Sequence, residues 1–406
     1  ASTDTQVWVS SDDGDHWQSL KLDMPSVSVR DIQLKDDSTC MCSDLVAATH
    51  GRGFWILDDV TPLRQLAEAK ASGAAYLYRP EPATRVRFAT NDPTPWPPEV
   101  PAGENPPRGG IIDYYLAGNV AGPVTLDVLD AAGKVVRSYS SKDPVPNPDP
   151  ATDPVAYNRL CQNNPAAPDC TLPLYWPAPP MVISTKEGMH RMSWDLRFDP
   201  VATNAGGGEG GEGAVPHRTY DDVNAPWAPA GNYTVRLTVD GKSYTQPLLL
   251  RLDPRVTTPP AALAQVATLS REMYDGSKRS HTEYLQARSL VSELEKLKGT
   301  DVDAFRAQVE SLAPAPVTGG RGFGRRGGAA AASANLSSVT STLTASAMAM
   351  QGADVAPTAG EIDAVERART QLNDVMSRWN AVKTTGLAAF NAKRKAAGEP
   401  QVKLPN

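Results

Sequence analysis

The chain has no run approaching the roughly 20 consecutive apolar residues of a membrane-spanning helix. Its apolar segments are short, so a helical membrane span is not expected. An excess of basic charge is also missing. Lys and Arg total 40 against 46 Asp and Glu, giving a formal net charge of -6 over 406 residues. Bulk electrostatics therefore gives no pull toward nucleic acid. The common catalytic signatures are absent as well. There is no P-loop, no G-x-S-x-G nucleophile elbow, no H-E-x-x-H zinc pair and no dinucleotide fingerprint. No motif implies a cofactor.

Cysteine is scarce, with four in all. Cys161 and Cys170 bracket a polar, proline-containing loop, and a disulfide closing that loop is preferred over two free thiols. It implies an oxidising compartment. Cys40 and Cys42 form a C-x-C whose side chains would share one face of a strand, too close for a relaxed bridge. A strained loop bridge, two free thiols and a metal pair all stay open there. Without a second Cys/His pair nearby the zinc signal is weak, and no metal site is expected.

Proline and glycine are plentiful, 36 and 31 residues, which suits a loop-rich β protein. The most specific stretch is Ser10-Ser11-Asp12-Asp13-Gly14-Asp15-His16-Trp17. It reads as an Asp-box, S-x-D-x-G-x-x-W, a turn motif of β-propellers. Ser10 and Asp12 carry short oxygen-bearing side chains suited to backbone amides in a tight turn. Gly14 accepts the positive φ that the turn demands, and Trp17 is expected to return the chain to an apolar layer. Gln6–Ser10 and His16–Leu20 read as the outer strands of one blade. Val29–Leu34, Asp44–His50 and Gly53–Asp59 read as three strands of a final blade whose fourth strand comes from elsewhere, because ring closure removes exposed edges. The chain is thus expected to begin inside a propeller.

The organisation that follows is multidomain, mainly β and then α. Residues 1–64 form the propeller end and 65–73 a linker. Residues 74–255 carry seven or eight short alternating runs with turns at 131–134 and 240–242, the pattern of an immunoglobulin-like sandwich. Its candidate strands are 76–78, 85–88, 111–116, 124–129, 135–139, 190–196, 233–239 and 243–250. Insertions are expected near 141–185 and 202–228, with a third Pro-rich loop at 92–107. Residues 257–400 switch to helical periodicity. Thr258 reads as an N-cap before Pro259 and Pro260, and Thr358 with Glu361 as a capping box. Two long antiparallel helices are expected, with a shorter one near 302–312 and a low-complexity loop near 317–335.

Candidate chemistry is thin. Asp12 is best read as pinning hairpin geometry rather than as a catalytic carboxylate. His50 and Arg52 sit between two strands and could form a ligand rim, although the flanking Gly51 and Gly53 fit a tight hairpin. Asp58 and Asp59 are neighbours on a strand end and point to opposite faces, a poor acid/base pair. His217, Asp221 and Asp222 could line a cation loop of calcium type, but their spacing fits a purely structural loop better. Arg321, Arg325 and Arg326 with Phe323 resemble an RGG segment, yet in an acidic chain they read as a solvated linker. No catalytic residue is expected.

Residues 44–66, DLVAATHGRGFWILDDVTPLRQL, resemble the last blade of bacterial sortilin-like propeller proteins, many of which are labelled BNR-repeat glycosyl hydrolases. Residues 229–255, PAGNYTVRLTVDGKSYTQPLLLRLDPR, and the helical tail resemble the regions that follow the propeller in that family. The resemblance implies the C-terminal portion of a secreted or periplasmic propeller protein with a binding or assembly role. Its partners are the missing blades, from the same precursor or a co-purifying chain, and another protein or a glycan. The alternative it carries is a glycoside hydrolase whose two carboxylates lie in upstream blades.

Overall fold

A computed structural model describes residues 1–38, 42–87, 109–143, 153–163, 182–201, 225–316 and 333–405. It is mixed β and α. The residues fall into two compact units, Ala1–Arg197 with Pro229–Arg255, and Val256–Asn406 with the described residues 198–201 and 225–228. Among the described residues no helix is long and apolar enough to cross a membrane.

The first unit opens with a hairpin of β1 (Trp8–Val9) and β2 (Gln18–Ser19). Both strands are shorter than their alternation suggested, because the residues between them spend their hydrogen bonds inside the turn. A three-stranded antiparallel sheet follows, β3 (Val29–Asp37), β4 (Cys42–Thr49) and β5 (Phe54–Leu57), with β4 in the middle. One face packs on the hairpin through Val7, Met24, Val27, Val29 and Ala47. The chain leaves β5 through a 3-10 turn, Thr61–Gln65, which runs into α1 (Leu66–Ala71).

Two further sheets face each other. One has five strands in the order β10 (Val135–Ser140), β9 (Val124–Leu129), β12 (Gly231–Val239), β13 (Lys242–Leu252) and β7 (Ala83–Arg85). The other has β11 (Gly188–Trp194), β8 (Gly110–Leu116) and β6 (Ala75–Leu77). Alternate residues point inward, as a period of two requires: Val124, Leu126 and Val128 on β9, and Val235, Leu237 and Val239 on β12, are buried. Trp194 is fully buried and its ring meets Tyr233 across the interface at 5.2 Å. The β12–β13 connection is a two-residue Asp-Gly turn, with φ of 47° at Asp240 and 77° at Gly241, the geometry that lets a hairpin keep its twist. The expected strand 85–88 is displaced to Ala83–Arg85, where it pairs with β13 in parallel. Helix α2 (Pro154–Asn163) lies within the region read as a proline-rich insertion. Asp153 starts it, its carboxylate accepting the Ala156 amide at 3.0 Å.

The second unit is helical: α3 (Pro260–Glu295), α4 (Thr300–Leu312), α5 (Leu336–Ala349), α6 (Ala359–Ala381), a π-helical turn Val382–Gly386, and α7 (Leu387–Ala396). Its core gathers Leu290, Leu294, Val309, Leu343, Val375 and Trp379. Two expectations fail. The long helices α3 and α6 are parallel, not antiparallel. Glu272 meets Arg369, and eleven positions later Glu283 meets Trp379 and Lys383, so numbers rise together on both helices. Both α4 and α5 run antiparallel to α3: just past α4, Ala313 and Pro314 accept from Arg288 and Tyr284, and along α5 Leu336 and Thr344 bond Ser280 and Ser277. Thr258 is not an N-cap either. The N-cap position is Pro259, and the Thr258 hydroxyl donates to the Asp354 carbonyl.

Candidate functional site

The Asp-box turn is built by local hydrogen bonds. The Ser10 hydroxyl accepts the Gly14 amide at 2.8 Å and donates to Asp12 Oδ1, also at 2.8 Å. Asp12 Oδ1 accepts the His16 amide at 2.9 Å, and Asp12 Oδ2 lies 2.6 Å from His16 Nδ1. The His16 amide, then its ring, then Ser10 hold the Asp12 carboxyl below its usual range. Asp13 and Gly14 take φ of 57° and 101°. Trp17 does not enter an apolar layer. It is 48 % exposed, and its indole folds back over the turn to donate to the Gly14 carbonyl at 2.9 Å. Every polar group of the motif is thus engaged in shaping the hairpin.

His50 and Arg52 lie on the exposed turn between β4 and β5. The turn closes through the Thr49 hydroxyl, 2.7 Å from the Gly53 carbonyl, with Gly51 and Gly53 at φ of 84° and 68°. The Arg52 carbonyl accepts the Trp55 indole at 3.1 Å. The two side chains share an exposed edge, and no hydrogen bond or ion pair ties either side chain to the fold among the described residues.

In the sheet that carries this turn, β5 and the facing end of β4 are apolar on both faces, while β3 places Asp31 and Gln33 beside Ala48 and Val46 on the second face. Register places Ala47 opposite Trp55 on the covered face, and Val46 opposite Ile56 and Ala48 opposite Phe54 on the other. On that second face Phe54 is 77 % exposed and Ile56 59 %.

At the exit from β5, five carboxylates and one arginine converge. Asp44 comes from β4, Asp58 and Asp59 follow β5, Glu81 precedes β7, and Asp113 sits on β8. Arg191 on β11 stands in register with Asp113 and grips it bidentately at 2.9 and 3.0 Å. The same guanidinium donates to the Asp58 carbonyl at 2.6 Å and the Asp59 carbonyl at 2.8 Å. Burial opposes the charge on Arg191, but Asp113, with help from Asp59 and Asp58, outweighs it and raises the pKa. Burial, then Asp44, pushes the Asp58 carboxyl up. Burial, then the facing Asp59 carboxyl, pushes Glu81 up to about 7. Sequence reasoning singled out Asp58 and Asp59 here and missed Glu81, Asp113 and Arg191. The available signal was a lone carboxylate in Ile111-Ile112-Asp113-Tyr114 and a lone arginine in Met189-His190-Arg191-Met192.

The cation loop of His217, Asp221 and Asp222 lies outside the described residues, as do Arg321, Phe323, Arg325 and Arg326. Cys40, Cys170 and the side chain of Cys161 also lie outside them, so the expected Cys161–Cys170 bridge does too. Cys42 is held in a disulfide. Among the described residues no group of three or more His, Cys, Asp or Glu side chains is arranged to hold a metal ion. Compared with protein-family models, with curated proteins and with solved structures, the chain finds no match in any of the three.

Proposed function

We propose that this chain is the C-terminal portion of a secreted or periplasmic sortilin-like β-propeller protein, with a binding or assembly role rather than a catalytic one. In this reading residues 1–64 are the last blades of the propeller. The facing sheets form an immunoglobulin-like module behind it, and the helical unit serves packing or partner binding. The observation that carries the reading is the edge strand β5, apolar on both faces and flanked on the open one by Val46 and Ala48 of β4. Successive apolar residues along a strand, as in Phe54-Trp55-Ile56-Leu57, belong to a sheet covered on both sides, and a propeller blade sits between two others. The occupant of the Phe54 and Ile56 face is the neighbouring blade, from the same precursor or a co-purifying chain. His50 and Arg52 then lie at a rim where another protein or a glycan is contacted. The disulfide at Cys42 suits an oxidising compartment.

The glycoside hydrolase alternative draws no support from the carboxylates here. The Glu81 and Asp59 carboxyls are in contact, closer than the separation of about 5 Å or more that flanks a scissile glycosidic bond. The test is to produce the chain alone and follow its mass in solution and its binding of an apolar dye. We expect self-association or dye binding that a Phe54→Ser/Ile56→Ser double variant removes without lowering the melting temperature. A wild-type chain that is monomeric and dye-silent refutes the covered-sheet reading. Hydrolysis of glycosides by the chain alone refutes the non-catalytic one.

A further inference from the structure

We propose that Glu81 and Asp59 share a single proton, and that this proton acts as a latch that closes in acid and opens near neutrality. The latch ties the turn after β5 to the segment between β6 and β7.

The argument begins with an orphaned atom. Asp59 is only 3 % exposed. Its Oδ1 accepts the Thr61 amide at 2.9 Å, but its buried Oδ2 has no hydrogen-bond donor. A buried acceptor left without a donor costs on the order of 1–3 kcal/mol. The group beside it is Glu81, whose Oε1 accepts the Thr61 hydroxyl at 3.0 Å and whose carboxyl contacts that of Asp59. Two ionised carboxylates are acceptors only and repel. One proton between them turns the same contact into a donor–acceptor bond and satisfies Oδ2.

Asp59 cannot relieve the contact by moving. Its amide donates to Asp44 Oδ1 at 3.0 Å, its carbonyl is held by Arg191 at 2.8 Å, and its φ is 50°. Glu81 is the half-buried member and exchanges its proton with water. The surrounding charges favour uptake. Asp44 on β4, Asp58 after β5 and Asp113 on β8 are negative. Arg191 on β11 is engaged with Asp113, and Lys35 on β3 with Asp44 at 3.3 Å. Arg64 of the 3-10 turn is directed to Ser43 and Asp36, and Arg79 precedes Glu81 on its own segment.

The direction of the switch follows from linkage. The folded chain holds the Glu81 proton up to about 7, against an ordinary value of 4.5. Between those values the folded state binds more protons than the unfolded one, so stability falls as pH rises. The contribution is complete below the lower value and lost once pH passes the upper one. Allowing for solvent screening at a half-buried group, the loss is roughly 10- to 100-fold in the folding equilibrium constant.

The test uses the full chain, denatured with urea at about pH 5 and about pH 8. It is paired with an NMR titration of the Glu81 carboxyl carbon. We expect a midpoint well above the ordinary glutamate range in the wild type, falling in Asp59→Asn, whose amide donates to an ionised Glu81. Glu81→Gln keeps a donor facing Asp59 at every pH. It should lose roughly 10- to 100-fold less stability than the wild type between the two conditions. An ordinary glutamate midpoint in the wild type overturns the proposal. So does a Glu81→Gln variant that follows the wild-type pH dependence. If either variant fails to fold, the wild-type titration still decides.

Discussion

At the scale of single residues, Arg191 ties three segments of the first unit together. One planar guanidinium satisfies a buried carboxylate and two turn carbonyls at once, which only its fork of donors permits. Arg191→Ala leaves Asp113, whose side chain is 2 % exposed, buried and unpaired. We expect a loss of about 3–5 kcal/mol in urea denaturation, with Arg191→Lys recovering only part because an ammonium cannot span both oxygens. An equal loss in Lys and Ala would mean that the fork, not the charge, carries the whole effect. At the Asp-box the expected cost is smaller. Gly14 sits at φ of 101°, and an added Cβ meets the Trp17 ring at 3.7 Å. The space is open, so Gly14→Ala is penalised by backbone strain alone, at about 1 kcal/mol. A neutral result in thermal melts would show the turn to be softer than its hydrogen bonds suggest.

At the scale of elements, local devices were legible and non-local ones were not. The Thr358–Glu361 capping box forms as read, the Thr358 hydroxyl accepting the Glu361 amide at 3.2 Å and Glu361 Oε2 accepting the Thr358 amide at 2.7 Å. Thr358→Ala should cost about 1 kcal/mol, seen as loss of α6 protection in hydrogen exchange. Strand β9 has the expected bounds, Val124–Leu129, and its burial alternates up to Val128. Helix α5 escaped because LSSVTSTLTASAMA is rich in hydroxyls, which favour other backbone states. In the structure those hydroxyls turn inward onto the helix, Thr340 to the Leu336 carbonyl and Thr344 to the Thr340 carbonyl, while Leu336, Val339, Leu343 and Ala347 supply the buried face. The short α4 and then α5 together form the antiparallel return along α3, so the next reversal sets α6 parallel to α3. The carboxylate cluster was illegible for a related reason. Arg191 and Asp59 are 132 positions apart, and no local period links a turn after β5 to the register of β11 on β8.

For the whole molecule, charge and apolar surface combine into a condition-dependent behaviour. The chain carries a formal charge of -6 at pH 7 and a sequence pI of about 5.5. Self-repulsion is therefore modest at neutrality and vanishes near the acid end, the same range in which the Glu81–Asp59 proton is in place. An apolar face such as that of Phe54 and Ile56 attracts without regard to charge, so it should dominate where repulsion is weakest. Light scattering of the chain alone should rise as pH falls toward 5.5. Added salt, to about 0.5 M, should not reverse the rise, because screening weakens ion pairs but not apolar contact. Phe54→Lys/Ile56→Lys should stay dispersed under the same conditions. Phe54→Ser/Ile56→Ser, which adds no charge, separates the two causes. If only the lysine variant stays dispersed, net charge governs association and the face is incidental. If both do, the bare face of the β3–β5 sheet is the contact.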